Sequence, residues 1–284
     1  MELLFTDSSG IDYGAEDIYD TLYNIGTNDC ETLFIHSDVM FGKIPAGFKR
    51  EAYLSTLYEI LSSLCVKNII VPAFTYSFCN GENYDVRSSR TSMGALNEYI
   101  RKKEGRYRTL DPLLSFSVPE NLSDKFKNIS EHSLGTNSGF DILHGMDGVK
   151  FLFLGARLGD CFTYVHYLEK IKDVCYRFDM PFEGDITDES GHTFHKRQYI
   201  HTACYGVKPA DYYYFEDELE QKLILRKKTL GDKFVACISE KDAYTAIGSK
   251  LETNINYFLK QPFSQNDLVH KYTKGLEGRR ITHC

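Results

Sequence analysis

Thr163, His166 and Glu169 recur at intervals of three within Thr163-Tyr164-Val165-His166-Tyr167-Leu168-Glu169. Residues three apart are neighbours on an α-helix, so a hydroxyl, an imidazole and a carboxylate would share one side of it. An imidazole changes charge near neutral pH, and the chemistry such a trio can do is proton transfer. The stretch follows the apolar run Phe151-Leu152-Phe153-Leu154-Gly155, which reads as a strand closed by a glycine. Spacing alone leaves simpler readings open. His166 can be a partly buried, hydrogen-bonded histidine, Thr163 a helix-start cap, and Glu169 one end of a surface ion pair.

Further blocks lie upstream in fixed order. Phe34-Ile35-His36-Ser37-Asp38 is a strand end with a polar turn. Val71-Pro72-Ala73-Phe74-Thr75-Tyr76-Ser77 follows, then Met93-Gly94-Ala95-Leu96-Asn97-Glu98-Tyr99, then Arg108-Thr109-Leu110-Asp111-Pro112-Leu113-Leu114-Ser115-Phe116. In this order, over about 33–169, the blocks resemble the aminoglycoside 3-N-acetyltransferase family of CoA-dependent acyltransferases. No Gln/Arg-x-x-Gly-x-Gly/Ala loop of the other large acetyltransferase fold is present.

The resemblance implies N-acyl transfer from acetyl-CoA, or another acyl-CoA, to a primary amine without a metal. It makes His166 the base. Beside that, the residues themselves allow Glu169, one helical turn on, to orient the imidazole or bind a cationic acceptor, and allow Thr163, or N–H groups before it, to donate to the thioester oxygen. The resemblance assigns His36, Ser37 and Asp38 to the turn that holds CoA, and Thr75, Tyr76, Ser115 and Phe116 to positions along the cofactor. Asp38 is unusual there, because its charge repels phosphate unless it points away.

Asp111 departs from the family, which usually has His before this proline. With an ordinary pKa near 4 it is a poor base at neutral pH, but it can orient His166 or serve the acceptor. Closing a turn is the alternative. On this departure a nucleotide-linked amino sugar of surface-polysaccharide synthesis is the expected acceptor, ahead of an aminoglycoside. Two other classes stay open, a CoA-binding protein without turnover and a zinc hydrolase. The second would use His192, His195, His201 and Cys204, although strand alternation splits this set between two faces. An acyl-enzyme on Cys161 needs a Cys–His pair, and five residues to His166 is a poor helical match.

Composition narrows the classes. A net charge of −7 argues against general nucleic-acid binding. Eight cysteines without a Cys-x-x-Cys pair suit reduced thiols in a cytoplasm. No apolar run approaches the ~20 residues of a membrane span, and residues 1–7 lack a basic leader. The partners expected are acyl-CoA and a small amine, with a homodimer allowed, and neither nucleic acid nor membrane.

The elements that must position these residues alternate. Helical spacing appears over 15–25, 49–65 and 93–102, the last capped by Ser92, and strands over 32–35, 68–72, 113–118 and 149–154. A polar loop spans 79–90. Residues 176–187 and 192–205 read as a hairpin, 217–226 and 243–259 as helices, and 271–284 as a polar tail. The expected fold is one α/β domain over 1–284, a three-layer αβα sandwich. Its central sheet is mostly parallel, and 170–270 forms an antiparallel and helical subregion.

Overall fold

The computed structural model describes residues 3–263, so the tail over 271–284 lies outside the described residues. The chain opens with a short antiparallel pair, β1 (Leu3–Thr6) and β2 (Asp12–Gly14), followed by α1 (Ala15–Asn24). Then come β3 (Thr32–Ser37), α2 (Arg50–Ser63), β4 (Asn68–Pro72), the two-residue β5 (Tyr84–Asp85) and α3 (Ala95–Arg101). After β6 (Arg106–Arg108) and β7 (Phe116–Pro119) lie the short α4 (Ser123–Phe126) and α5 (Gly139–His144). The strand β8 (Val149–Leu154) leads through α6 (Leu158–Cys161) into α7 (Tyr164–Ile171). Two long strands, β9 (Arg177–Thr187) and β10 (Thr193–Ala203), precede α8 (Tyr213–Gln221), β11 (Arg226–Leu230), β12 (Lys233–Ser239) and α9 (Glu240–Thr253).

Seven strands form the main sheet in the order β11-β12-β8-β3-β4-β7-β6. Its central strands are apolar at nearly every position because both faces are covered. Successive side chains point to opposite faces, and the two cores divide accordingly. Phe34, Ile70, Phe151, Phe153 and Ile238 pack with residues of α5, α7, α8 and α9. Leu33, Ile35, Ile69, Val71, Leu152 and Leu154 pack with residues of α1, α2 and α3.

The expectation of a mostly parallel sheet is corrected. Only β3–β4 and β3–β8 run parallel, while β8–β12, β12–β11, β4–β7 and β7–β6 are antiparallel. The helix α2 carries the chain back between β3 and β4, as a parallel pair requires. The pairs β6–β7 and β11–β12 have connections too short for a crossover, and the second turns on Gly231-Asp232 alone, so their strands must reverse.

The 188–191 hairpin is present, with β9 and β10 paired from Thr193↔Thr187 to Ala203↔Arg177. The expected 79–90 loop is partly structured, since β5 adds parallel to β9. Helix α3 starts at Ala95 rather than Met93, with Gly94 and not Ser92 at its N-cap. Ser92 instead donates its N–H to the Phe74 carbonyl.

Candidate functional site

Strand β3 is the point where the sheet changes direction of growth, with β4 on one side and β8, much later in the chain, on the other. The carboxyl ends of strands that diverge in this way leave a crevice, the usual ligand position in an open α/β sheet. A cavity of about 540 Å³ lies there, lined by His36, Ser37 and Asp38 after β3, Gly155 to Arg157 after β8, and Met93 and Gly94 before α3. Asp160, Cys161, Lys233 and Phe234 complete much of its wall. Glycine is needed twice. Gly155 has φ +75, and a Cβ on it would lie 2.0 Å from the Asp38 carbonyl oxygen. Gly94 has φ +97, and its Cβ would meet the Ser37 carbonyl at 2.8 Å.

Of the residues expected to hold CoA, His36, Ser37 and Asp38 line this cavity. His36 is buried flat against Phe153, with ring centroids 5.3 Å apart, and burial lowers its pKa to about 3. The Ser37 hydroxyl donates to Asn97 at 2.8 Å. Asp38 is ion-paired to Lys233, so its charge does not stand alone against an anionic ligand. Lys233 and Arg157 are the cations of the wall, and Arg157 is shared with Glu216 at 3.2 Å.

The other four lie among different partners. The Thr75 hydroxyl donates to the Pro112 carbonyl at 2.7 Å, and Tyr76 is buried with a left-handed φ of 54°. Ser115 is buried and donates to the Ala73 carbonyl at 2.6 Å, while Phe116 packs among Phe34, Phe74 and Phe140. These contacts tie β4, β7 and the loops between them together and do not reach the cavity wall.

The spacing of three does what it promised at His166 and Glu169. Nδ1 of His166 lies 2.6 Å from Oε2 of Glu169. Glu169 is buried, and its other oxygen accepts from the Tyr176 hydroxyl at 2.8 Å. Nε of Arg177 lies 2.6 Å from Glu169 Oε2. Burial pushes Glu169 up, but the Arg177 guanidinium, His166 and Tyr176 outweigh it and hold the carboxyl at about 2. His166 is lowered from its ordinary value, first by burial and then by Arg177, against the pull of Glu169. Thr163 is the N-cap residue of α7 but makes no side-chain capping bond, and its hydroxyl lies 3.5 Å from the Cys161 carbonyl.

Asp111 is buried away from solvent. Its Oδ1 accepts from the N–H groups of Leu113 and Leu114, at 2.8 and 2.9 Å, and from the Ser133 hydroxyl at 2.9 Å. Burial raises its pKa. Two of these close the local turn and the third comes from Ser133, and none of them joins Asp111 to His166.

Arg177 and Tyr176 were not anticipated. Both fall at the mouth of the hairpin, where the alternating pattern reads only as strand, and nothing local marks them as partners of Glu169, seven and eight residues earlier. Beyond Arg177 lies a second cluster. Asp179 faces His201 at 3.0 Å, Lys170 at 2.6 Å and His132 at 3.3 Å. His192 and His195 sit apart from it on the exposed half of the hairpin, near Asp188 and Asp185. Among the described residues there is no group of three or more His, Cys, Asp or Glu that could hold a metal ion. The Cys161 thiol lies 3.1 Å from the Arg157 carbonyl, and burial raises its pKa, which disfavours the thiolate that an acyl-enzyme requires. Among the described residues no helix is long and apolar enough to cross a membrane.

Solved structures share this fold at low identity. The apoenzyme of the aminoglycoside acetyltransferase AAC(3)-IVa is 17% identical with a TM-score of 0.69, covering 91% of this chain and 95% of that one. AAC-IIIb in its binary complex with CoASH is 18% identical with a TM-score of 0.68, over 89% and 99%. The YokD protein from Bacillus subtilis is 16% identical with a TM-score of 0.67, over 85% and 94%. No curated protein matches the chain in sequence. The family model described as aminoglycoside 3-N-acetyltransferase matches residues 56–252, more than half of the chain. The chain therefore belongs to the aminoglycoside 3-N-acetyltransferase family and is an acyl-CoA-dependent N-acyltransferase.

Proposed function

We propose that this enzyme transfers an acetyl group from acetyl-CoA to a primary amine of an aminoglycoside. The observation that carries the reading is the 2.6 Å contact of His166 with a buried, ionised Glu169, on the helix that follows directly from the cavity wall at Asp160 and Cys161. An imidazole held by a carboxylate through Nδ1 leaves Nε2 to take a proton. In the reaction the neutral amine attacks the thioester carbon and a C–N bond forms. His166 takes the proton from the attacking nitrogen. The C–S bond then breaks, and the CoA thiolate leaves with that proton. Thr163 is the donor we favour for the oxyanion, because among the described residues its hydroxyl has only a long contact.

CoA is placed in the cavity at the ends of β3 and β8, its pyrophosphate toward Lys233 and Arg157. The cofactor roles of Thr75, Tyr76, Ser115 and Phe116 are left out, because each is engaged in holding β4 and β7. Acetyl-CoA is a cytoplasmic metabolite, and the reaction belongs in that compartment.

The preference for a nucleotide-linked amino sugar gives way. It rested on Asp111, whose Oδ1 is taken by the N–H groups of Leu113 and Leu114. An aminoglycoside fits the family's own description. Thiol release from acetyl-CoA, measured with a panel of aminoglycosides and of nucleotide-linked amino sugars, tests the reading. Release with aminoglycosides and an acetylated product by mass spectrometry are expected. Release with the nucleotide sugars alone would replace the acceptor, and CoA binding without release would make the chain a binding protein.

A further inference from the structure

We propose that Arg177 is the positioning residue of this site. Its guanidinium keeps His166 a neutral ring with hydrogen on Nδ1 and a bare Nε2, the nitrogen that takes the proton. The inference rests on His166 being the base, and it concerns a residue on a different element from the helical trio.

The geometry determines the tautomer. Glu169 is ionised and can only accept, so Nδ1 of His166 carries the hydrogen in their 2.6 Å contact. Nε2 is then the bare nitrogen of a neutral ring. Arg177 Nη2 lies 3.5 Å from that nitrogen. A guanidinium has donors and no acceptor, so its approach is compatible with a lone pair on Nε2 and not with an Nε2–H.

Arg177 is held in this place from two other directions. Its Nε meets Glu169 at 2.6 Å, and its Nη1 donates to the His201 carbonyl at 3.2 Å. Among the described residues, the nearest charged or titratable neighbours of the imidazole lie on several elements. Glu169 lies on α7, Arg177 at the start of β9 and Tyr176 just before it. His201 is on β10, and Tyr212, before α8, stands edge-on at 6.3 Å. Of these only Glu169 is anionic near neutral pH, and only Arg177 is a permanent cation.

That balance explains why the arginine is needed. A buried carboxylate alone beside an imidazole favours the imidazolium, which cannot accept a proton. Arg177 neutralises Glu169 and repels a second positive charge at Nε2. His166 therefore keeps its orientation without being driven into its protonated form. The same repulsion acts on the acceptor nitrogen, which must arrive as a free amine in order to attack.

Ring-nitrogen NMR of the whole enzyme tests this without any turnover. Near pH 7.5 the wild-type His166 should show a neutral ring with hydrogen on Nδ1. An imidazolium or an Nε2–H ring at that pH would overturn the proposal. In Arg177→Met the His166 titration midpoint should rise by about one to two units. The acid limb of kcat/KM should rise with it. Arg177→Lys, which keeps the charge, should titrate close to wild type. Arg177→Met leaves the buried Glu169 carboxylate without its cation, so Arg177→Gln, whose amide can donate to Glu169, is measured beside it. A neutral variant that folds and titrates at the wild-type midpoint would assign Arg177 a merely structural role. If the titrations behave as expected but aminoglycosides are not acetylated, the acceptor reading fails and the role of Arg177 stands.

Discussion

His166 and Glu169 face each other one helical turn apart on α7, Nδ1 to Oε2 at 2.6 Å. The carboxylate also meets Arg177 and accepts from Tyr176, so both of its oxygens are committed within the chain. Of the two roles that the sequence leaves open for Glu169, we propose the orienting one, since both oxygens already have partners within the chain. His166→Ala should lower kcat by about 10²- to 10⁴-fold, the usual worth of a general base. CoA affinity, measured by calorimetry, should stay near wild type. A variant retaining more than about a tenth of wild-type kcat would remove His166 from the role of base.

Gly155 tests the cavity rather than the chemistry. With φ +75 and a Cβ that would lie 2.0 Å from the Asp38 carbonyl oxygen, alanine cannot be placed without moving the turn after β3. Gly155→Ala should cost roughly 1–3 kcal/mol in denaturant unfolding, the scale of a backbone forced into a disfavoured region. It should also weaken CoA binding, because Ser37 and Asp38 form the displaced wall. A variant that is destabilised but binds CoA as tightly as wild type would place CoA somewhere else.

The parts of this fold that were legible are those in which one local rule dominates. The apolar runs of β3, β4 and β8 and the leucine spacing of α2 needed no tertiary context. The 188–191 turn likewise announced the β9–β10 hairpin. The antiparallel flanks were not legible. Strands β6 and β7 are three and four residues long, too short for a period. Strand β11 is Arg-Lys-Lys-Thr-Leu, a charged edge strand, and the reading of 217–226 as helix hid it, although Gly231-Asp232 is a two-residue hairpin signal. The helix in that region is Tyr213–Gln221, whose tyrosines favour a strand reading. At the site, periodicity placed His166 with Glu169 because both lie on one helix. It could not place Arg177, which reaches Glu169 through the turn that follows α7.

Asp111 offers a separation of turn from chemistry. One oxygen, Oδ1, takes all three of its hydrogen bonds, from Leu113, Leu114 and Ser133. An asparagine carries an equivalent oxygen. Asp111→Asn should therefore fold within about 1 kcal/mol of wild type, whereas Asp111→Ala, which orphans buried donors, should lose about 1–3 kcal/mol. The kcat/KM for the amine and its pH profile should be the same in Asp111→Asn as in the parent. A shifted profile in a fully stable Asp111→Asn protein would restore a direct role in catalysis.

His36 gives the enzyme an acid sensitivity that does not come from its carboxylates. The ring is buried against Phe153, and burial lowers its pKa from 6.5 to about 3. The folded state thus prefers the neutral imidazole, while the unfolded chain takes up a proton as the pH falls through 6.5. The stabilisation is complete above about pH 6.5 and is lost progressively as the pH drops toward 3, at a slope of about 1.4 kcal/mol per unit for one group. His166 and His201 are lowered as well and add to the slope. His36→Phe keeps a flat ring against Phe153 and removes one titrating group. Urea unfolding at pH 7.5 and pH 5 should show the variant gaining about 2 kcal/mol on wild type across that interval, whatever their difference at pH 7.5. Parallel stability curves for the two proteins would mean that His36 is protonated in the fold, or that water reaches it. Either result would undo the account of this ring as a neutral part of the cavity wall.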